Sequence, residues 1–114
     1  MAALLLVVAL SSCGHTRVVG ASRVVSLVLT EYRLIPQSIR APEGQLTIYA
    51  HNYGRLTHNL SVSLNGLGIA TTDPIPPGQT AELIVTLAPG NYLMSSTLLS
   101  DRTLGAYGTL TVRP

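Results

Sequence analysis

Few side chains in this sequence have the type and spacing that metal or acid–base chemistry requires. The chain has three histidines, His15, His51 and His58, and one cysteine, Cys13. His51 and His58 flank one turn and could approach each other, but no His-x-His or Glu-x-x-His spacing supports a site around them. Since metal sites use three or four protein ligands, His58 is either one ligand of such a site or a packing residue whose ring donates to a backbone carbonyl. The ligand count favours packing, and we assign no function to His15 or His51.

The composition excludes several functional classes. A chain of 114 residues with 46% hydrophobic side chains can build one domain with a real core and needs no disulfides. A single cysteine excludes an internal disulfide framework and a two-cysteine redox pair. The net charge of +2 comes from scattered arginines, with no basic run among aromatic residues. We therefore expect no nucleic-acid partner.

The N-terminal residues resemble a bacterial lipoprotein signal peptide. The apolar run from Ala2 to Leu10 has nine residues, fewer than the roughly 20 of a transmembrane helix and typical of a signal-peptide hydrophobic region. Leu10, two serines and Cys13 resemble the lipobox, whose cysteine thiol takes a diacylglyceryl group and becomes the new N-terminus after cleavage. No Lys or Arg precedes the run, so either the amino terminus supplies the positive charge or translation starts upstream. The alternative is a cleaved signal peptide with an incidental cysteine.

The lipobox resemblance implies where the protein resides. Two or more acyl chains would anchor it stably to a membrane, whereas one would not. The sequence therefore predicts a lipoprotein signal peptide over residues 1–12, a lipidated Cys13 with a tether over residues 13–22, and a folded domain over residues 23–114. The domain would lie outside the cytoplasm of a bacterial cell, with the membrane as its partner through Cys13.

The domain itself is predicted to be all-β. Apolar and polar residues alternate, as in half-buried strands, in the segments 24–29, 46–51, 59–64, 82–87 and 109–112. Turn residues, mostly Gly, Pro and Asn, separate these segments. Short strands at this spacing indicate a Greek-key antiparallel sandwich or barrel of about seven to eight strands.

Two segments resemble the cupredoxin, or blue-copper, family. In that family an Asn-x-Gly turn leads to a His-Asn pair whose histidine binds copper, and here the turn at 52–54 leads to His58 and Asn59. Two Pro-Gly turns, a tyrosine and a closing Gly-x-x-Gly-x-Leu-x-Val motif follow in the family. They match Gly78, Gly90, Tyr92, Gly105, Gly108, Leu110 and Val112. The resemblance covers residues 24–112 and implies a cupredoxin-like fold.

The same resemblance implies that the copper ligands are lost. Ser96 stands where the family has its cysteine, Asp101 where it has the second histidine, and Ala106 where it has the axial methionine. A type 1 site needs a soft thiolate and two imidazoles. A serine hydroxyl is hard and stays protonated, and alanine has no donor atom. We therefore expect no type 1 copper and no resident cofactor.

A remodelled metal site is the alternative. If His58, Asp101 and Ser96 meet as the family's ligands do, their nitrogen and oxygen donors suit a loose copper or zinc site completed by solvent. Asp101 could equally be a solvated charge beside Arg102, since such surface pairs are common and weak. The same three residues could form a triad, but nothing in the sequence supplies an oxyanion hole. We expect no enzyme activity.

The loop around the former ligands is apolar. Leu98, Leu99 and Leu104 either fill the vacant site or form a contact patch for a protein partner. The family resemblance also implies that Asn59 and Thr97 tie the histidine loop to the cysteine loop by hydrogen bonds. The sequence thus predicts a non-enzymatic, membrane-tethered binding module, with a copper or zinc carrier as the alternative.

Overall fold

The computed structural model describes residues 16–98 and 105–114, and these residues form strands and connecting turns without a helix. The ten strands, in chain order, are β1 (Arg17–Val18), β2 (Val24–Thr30), β3 (Arg33–Ile35), β4 (Ser38–Pro42), β5 (Gly44–Asn52), β6 (Ser61–Leu64), β7 (Leu67–Thr71), β8 (Thr80–Leu87), β9 (Gly90–Ser95) and β10 (Tyr107–Arg113). Within those described residues, no helix is long and apolar enough to cross a membrane.

The strands form two sheets with a shared core. One sheet has six strands in the order β1-β4-β10-β9-β6-β7, and the other has four in the order β3-β2-β5-β8. Along β5, Leu46, Ile48 and Ala50 are buried while the residues between them are partly exposed. This period of two is the pattern that a sheet with one buried face produces. The all-β sandwich predicted from the sequence is confirmed.

Strand direction and number differ from the prediction in detail. Three strand pairs are parallel, namely β1 with β4, β4 with β10, and β2 with β5, so both sheets are mixed rather than antiparallel. The structure also has ten strands instead of seven to eight, because β1 and β3 contain only two and three residues. Alternation reports which face a residue occupies, and it carries no information about the direction of the neighbouring strand.

The core is almost entirely aliphatic, with Tyr92 as its aromatic member, in a sequence that contains no Phe or Trp. Its largest fully buried apolar side chains are Leu27, Leu29, Ile39, Leu46, Ile48, Leu60, Ile75, Met94, Leu110 and Val62. Burying each side chain of this size contributes about 1.5–3 kcal/mol relative to exposing it. Packing between the two sheets therefore accounts for the stability of a domain that contains no disulfide.

The folded region begins before the sequence-based boundary at Arg23. In the segment assigned to a tether, β1 pairs with β4, and the Thr16 hydroxyl lies 3.1 Å from that of Ser38. Val19 is only 6% exposed, and its N–H donates to the Arg40 carbonyl at 2.8 Å. Residues 16–22 therefore belong to the domain, while the rest of the assigned signal peptide and tether, with Cys13, lies outside the described residues.

Candidate functional site

His58 occupies a buried position in the segment that joins β5 to β6. Its side chain is fully buried. Its backbone makes an isolated antiparallel bridge with Ile75, in which His58 N–H donates to the Ile75 carbonyl at 3.2 Å and Ile75 N–H donates back at 2.7 Å. The imidazole is therefore held at a fixed depth between the sheets.

Glu31 is one partner of this imidazole. The residue directly follows β2, and its Oε2 lies 2.8 Å from His58 Nε2. The carboxylate also accepts hydrogen bonds from the backbone N–H groups of Arg55, at 2.7 Å, and Leu56, at 3.2 Å. One acidic side chain thus links the end of β2 to the histidine and to the turn that precedes it.

These contacts change the acidity of Glu31. The Arg55 N–H and then the His58 ring stabilise the carboxylate most, and together with Leu56 N–H they lower the pKa of Glu31 from 4.5 to about 2. Hydrogen bonds to the charged form favour that form. Glu31 is therefore an anion at any pH that the folded protein meets in a cell.

The turn before His58 is shaped to admit this carboxylate. The Gly54 N–H donates to Asn52 Oδ1 at 2.8 Å, while Asn52 Nδ2 donates to the carbonyls of Leu56 and Ile75, each at 2.8 Å. A Cβ atom at Gly54 would overlap Glu31 Oε2 and lie 3.0 Å from His58 Nε2. A side chain at this position would push the Glu31 carboxylate away from its place beside His58 and the turn.

Hydrogen bonds join the histidine segment to the end of β9. Asn59 N–H donates to Ser96 Oγ at 3.2 Å, Asn59 Nδ2 donates to Thr97 Oγ1 at 3.0 Å, and Thr97 N–H donates to Asn59 Oδ1 at 2.7 Å. The predicted tie between Asn59 and Thr97 is confirmed. Ser96 is fully buried and belongs to the same network.

Three of the four positions that correspond to family ligands are brought together. Ser96 N–H donates to the Ala106 carbonyl at 3.0 Å, and Ser96 Oγ contacts the backbone of the residue after His58. Ala106 is fully buried, like the other two residues. The fourth position, Asp101, lies outside the described residues, so its predicted approach to His58 stays a prediction.

The proposed contact patch is described only at its margin. Leu98 is half-buried, whereas Leu99 and Leu104 lie outside the described residues. In the turn before His58, Tyr53 is 71% exposed and Leu56 is 44% exposed. Two apolar side chains therefore face outward beside the candidate site.

The donor set does not fit type 1 copper. Among residues 16–98 and 105–114, no group of three His, Cys, Asp or Glu side chains could hold a metal ion. Ser96 offers a hydroxyl that is already an acceptor for Asn59 N–H, and Ala106 offers no donor. Since a blue site requires a thiolate and two imidazoles, these residues cannot assemble one.

The second histidine of this region has its own partners. His51 Nδ1 lies 2.8 Å from the Thr80 hydroxyl, and its ring packs at 42° against Tyr53 with the ring centres 6.1 Å apart. His58 is held instead by Glu31. The two histidines that flank the turn are therefore engaged separately.

Comparison with known proteins agrees with this architecture. Residues 1–112 match the family of the cupredoxin-like domain, and the chain belongs to that family. None of the curated proteins compared with it matches.

Solved structures of blue-copper proteins share its fold. Reduced auracyanin from Roseiflexus castenholzii superposes with a TM-score of 0.75 at 21% identity, over 83% of this chain and 100% of its own. Rusticyanin from Thiobacillus ferrooxidans superposes with a TM-score of 0.68 at 12% identity, over 86% of this chain and 82% of its own. A purple cupredoxin from Nitrosopumilus maritimus gives a TM-score of 0.59 at 20% identity, over 78% and 99%. At these identities the likeness concerns the fold.

Proposed function

We propose that this protein is an extracytoplasmic, lipid-anchored cupredoxin-fold lipoprotein without a type 1 copper centre, and that it acts as a non-enzymatic binding module. The observation that carries the proposal is Ser96. At the position of the family's thiolate, a buried hydroxyl accepts a hydrogen bond from Asn59. The fold that surrounds the former ligand positions is retained, but a hydroxyl stands where the family has its copper-binding thiolate.

The contacts around His58 support a structural role for the former ligand positions. Glu31 holds the imidazole, and the network of Asn59, Ser96 and Thr97 joins the two loops. These hydrogen bonds connect the loops at one end of the sandwich to each other through contacts within the protein. Exposed Tyr53 and Leu56 beside them provide apolar surface of the kind that contacts partners.

A metal titration tests the proposal. The full chain in a nonionic detergent is titrated with Cu(II), Cu(I) and Zn(II) by calorimetry, next to His58→Ala and the control His51→Ala. We expect no tight binding to any of the three proteins and no intense blue absorption with Cu(II). A blue thiolate–copper spectrum of the wild-type chain would overturn the proposal.

One observation favours a metal carrier as the second candidate. Metal-binding histidines commonly donate their second ring N–H to a carboxylate, which orients the ring, and Glu31 contacts His58 in that manner. His58 would then bind copper or zinc through Nδ1, with Asp101 and Ser96 as oxygen donors. This candidate predicts binding that is lost in His58→Ala, kept in His51→Ala, and weakened about 10–100-fold in Glu31→Gln.

Membrane anchoring is tested separately at Cys13. Cells expressing the full chain or Cys13→Ser are fractionated, and the protein is located by immunoblot. We expect the wild-type chain in the membrane fraction and Cys13→Ser outside it, because the acyl chains supply the affinity for the bilayer. Equal membrane association of the two proteins would exclude a lipid anchor at Cys13.

A further inference from the structure

A groove of about 540 Å³ lies on the far side of β2 from the core, and His58, Asn59, Ser96 and Ala106 are not among its lining residues. It is lined by residues of β1, β2, β3 and β5, together with the segment after β3 and Gly105. Ser26 and Val28 of β2 form part of its floor, and Arg17 of β1 reaches it from the other sheet.

The groove carries two positive charges. Arg17 and Arg33 both line it, and neither guanidinium group makes a hydrogen bond or ion pair with any residue that the structure describes. None of the four carboxylate residues in the described ranges lines the groove. Of these four, Glu31 is bound by His58 and backbone N–H groups, and Glu82 accepts a hydrogen bond from the Tyr49 hydroxyl at 3.0 Å.

Polar groups in the groove add hydrogen-bonding capacity beside these charges. His51 lines the groove with its Nδ1 fixed by Thr80. When the Thr80 hydroxyl donates to Nδ1, the neutral ring carries its proton on Nε2, which is then a donor. Ser26 adds a hydroxyl, and Tyr53 packs against the His51 ring. The site thus offers several donors, and no carboxylate among residues 16–98 and 105–114 lines the groove to compete for them.

The walls of the groove are apolar. Val28, Leu34, Ile35 and Pro36 line it, and Ile35 is 43% exposed. A ligand whose charged end contacts the arginines could place its apolar part against these walls. The burial would contribute about 25 cal/mol of binding free energy per Å² of apolar surface removed from water. The groove therefore suits a ligand with an anionic head and an apolar body.

We propose that this groove binds a phosphate monoester attached to an apolar body. Arginine is suited to phosphate because its planar fork donates two parallel hydrogen bonds. A phosphate monoester carries a charge of about −1.5 to −2 at neutral pH, which the charges of Arg17 and Arg33 match. The volume of the groove lies within the range of small-ligand sites, about 300–1,000 Å³.

Two sources could supply this chemistry, a soluble organic phosphate and the headgroup of a phosphatidic acid. Arg17 follows Cys13 by four residues, and four extended residues span at most about 14 Å. If Cys13 is acylated as we propose above, the groove lies within reach of the lipid headgroups. The experiment therefore includes one arm for each source.

The test uses the ¹⁵N-labelled full chain in nonionic detergent, titrated with hexyl phosphate and with inorganic phosphate at constant ionic strength. We expect saturable amide shifts around the groove and tighter binding of hexyl phosphate than of inorganic phosphate. Arg17→Gln and Arg33→Gln should each weaken binding about tenfold, because each removes a charged hydrogen bond. Arg113→Gln removes an equal charge from an exposed position outside the groove and should bind like the wild-type chain.

The second arm measures flotation of the same proteins with phosphatidylcholine vesicles that contain or lack phosphatidic acid. Phosphatidic acid-dependent flotation that falls in Arg17→Gln and Arg33→Gln, but not in Arg113→Gln, identifies the lipid headgroup as the source. Arginine-dependent binding of hexyl phosphate alone identifies a soluble ligand. The proposal is overturned if the shifts do not saturate, or if all three arginine variants bind hexyl phosphate alike.

Discussion

Glu31 binds the imidazole of His58 and the turn that precedes it. Its pKa is about 2 in the folded protein and 4.5 ordinarily, so its contribution to stability is complete above pH 4.5 and is lost as the pH falls towards 2. We predict that Glu31→Gln lowers the midpoint of thermal unfolding at pH 6 by several degrees, because Gln is a weaker acceptor for the two N–H groups and the imidazole. Urea unfolding of both proteins between pH 6 and pH 2 measures the difference.

The pH dependence distinguishes the carboxylate from a merely steric role. Every other titratable group is the same in the two proteins, so the difference between their unfolding free energies isolates the Glu31 carboxyl group and the imidazole that it contacts. We expect the difference in unfolding free energy between wild type and Glu31→Gln to shrink as the pH falls through the window. A difference that is constant with pH would show that the charge of Glu31 does not matter.

Sequence reasoning located part of this site and missed the rest. His58, Ser96 and the tie between Asn59 and Thr97 were accessible because each belongs to a motif with fixed spacing. Glu31 was missed because it precedes His58 by 27 residues. Only the parallel pairing of β2 with β5, which sets Leu29 opposite Asn52, places it beside the turn. A carboxylate two residues after a predicted strand was the one available signal.

At the scale of elements, β1 shows that the domain extends into the segment assigned to the tether. We predict that a chain from Thr16 to Pro114 is more stable than one from Ser22 to Pro114 by about 2 kcal/mol or more, since the shorter chain lacks the buried Val19. Chemical unfolding of the two proteins gives the difference. Within the longer chain, Val19→Ala should cost about 1–2 kcal/mol.

Val18 supplies the control for this prediction. Its side chain is 64% exposed on the same short strand, so Val18→Ala should change the unfolding free energy by less than about 0.5 kcal/mol. Equal stability of the two truncated chains would mean that β1 contributes nothing to the fold. In that case the stable domain would begin at Arg23, as the sequence predicted.

The end of β9 and the start of β10 hold Ser96 and Ala106, two of the former ligand positions, next to each other. Restoring the family's ligands tests whether these positions can still bind copper. We predict that Ser96→Cys alone gives no blue absorption with Cu(II), because one thiolate and one imidazole do not complete a trigonal set. The triple variant Ser96→Cys, Asp101→His and Ala106→Met should give an intense blue absorption. A colourless triple variant that remains folded would show that the frame no longer aligns these positions.

The alternation of apolar and polar residues predicted the positions of the strands well and the pairing between strands poorly. The strand positions followed from the period of two, which depends on burial of one face. The parallel neighbours depend on where the chain crosses between sheets: β2 meets β5 only after β3 and β4 have intervened, with β4 in the other sheet. Long-range pairing of this kind leaves no local pattern, which is why a mixed sandwich was predicted to be antiparallel.

At the scale of the whole molecule, the end of the sandwich is closed by hydrogen bonds where other members of the fold hold a metal. A ligand that binds only the folded state stabilises it, by about 2.7 kcal/mol at a concentration one hundred times its Kd. We predict that Cu(II) and Zn(II) leave the midpoint of thermal unfolding of the full chain unchanged, because Glu31 and Asn59 already satisfy the groups around His58 and Ser96. Scanning calorimetry with and without each metal measures this. A metal-dependent rise in the midpoint of thermal unfolding that disappears in His58→Gln but persists in His51→Gln would instead show that His58 binds the metal.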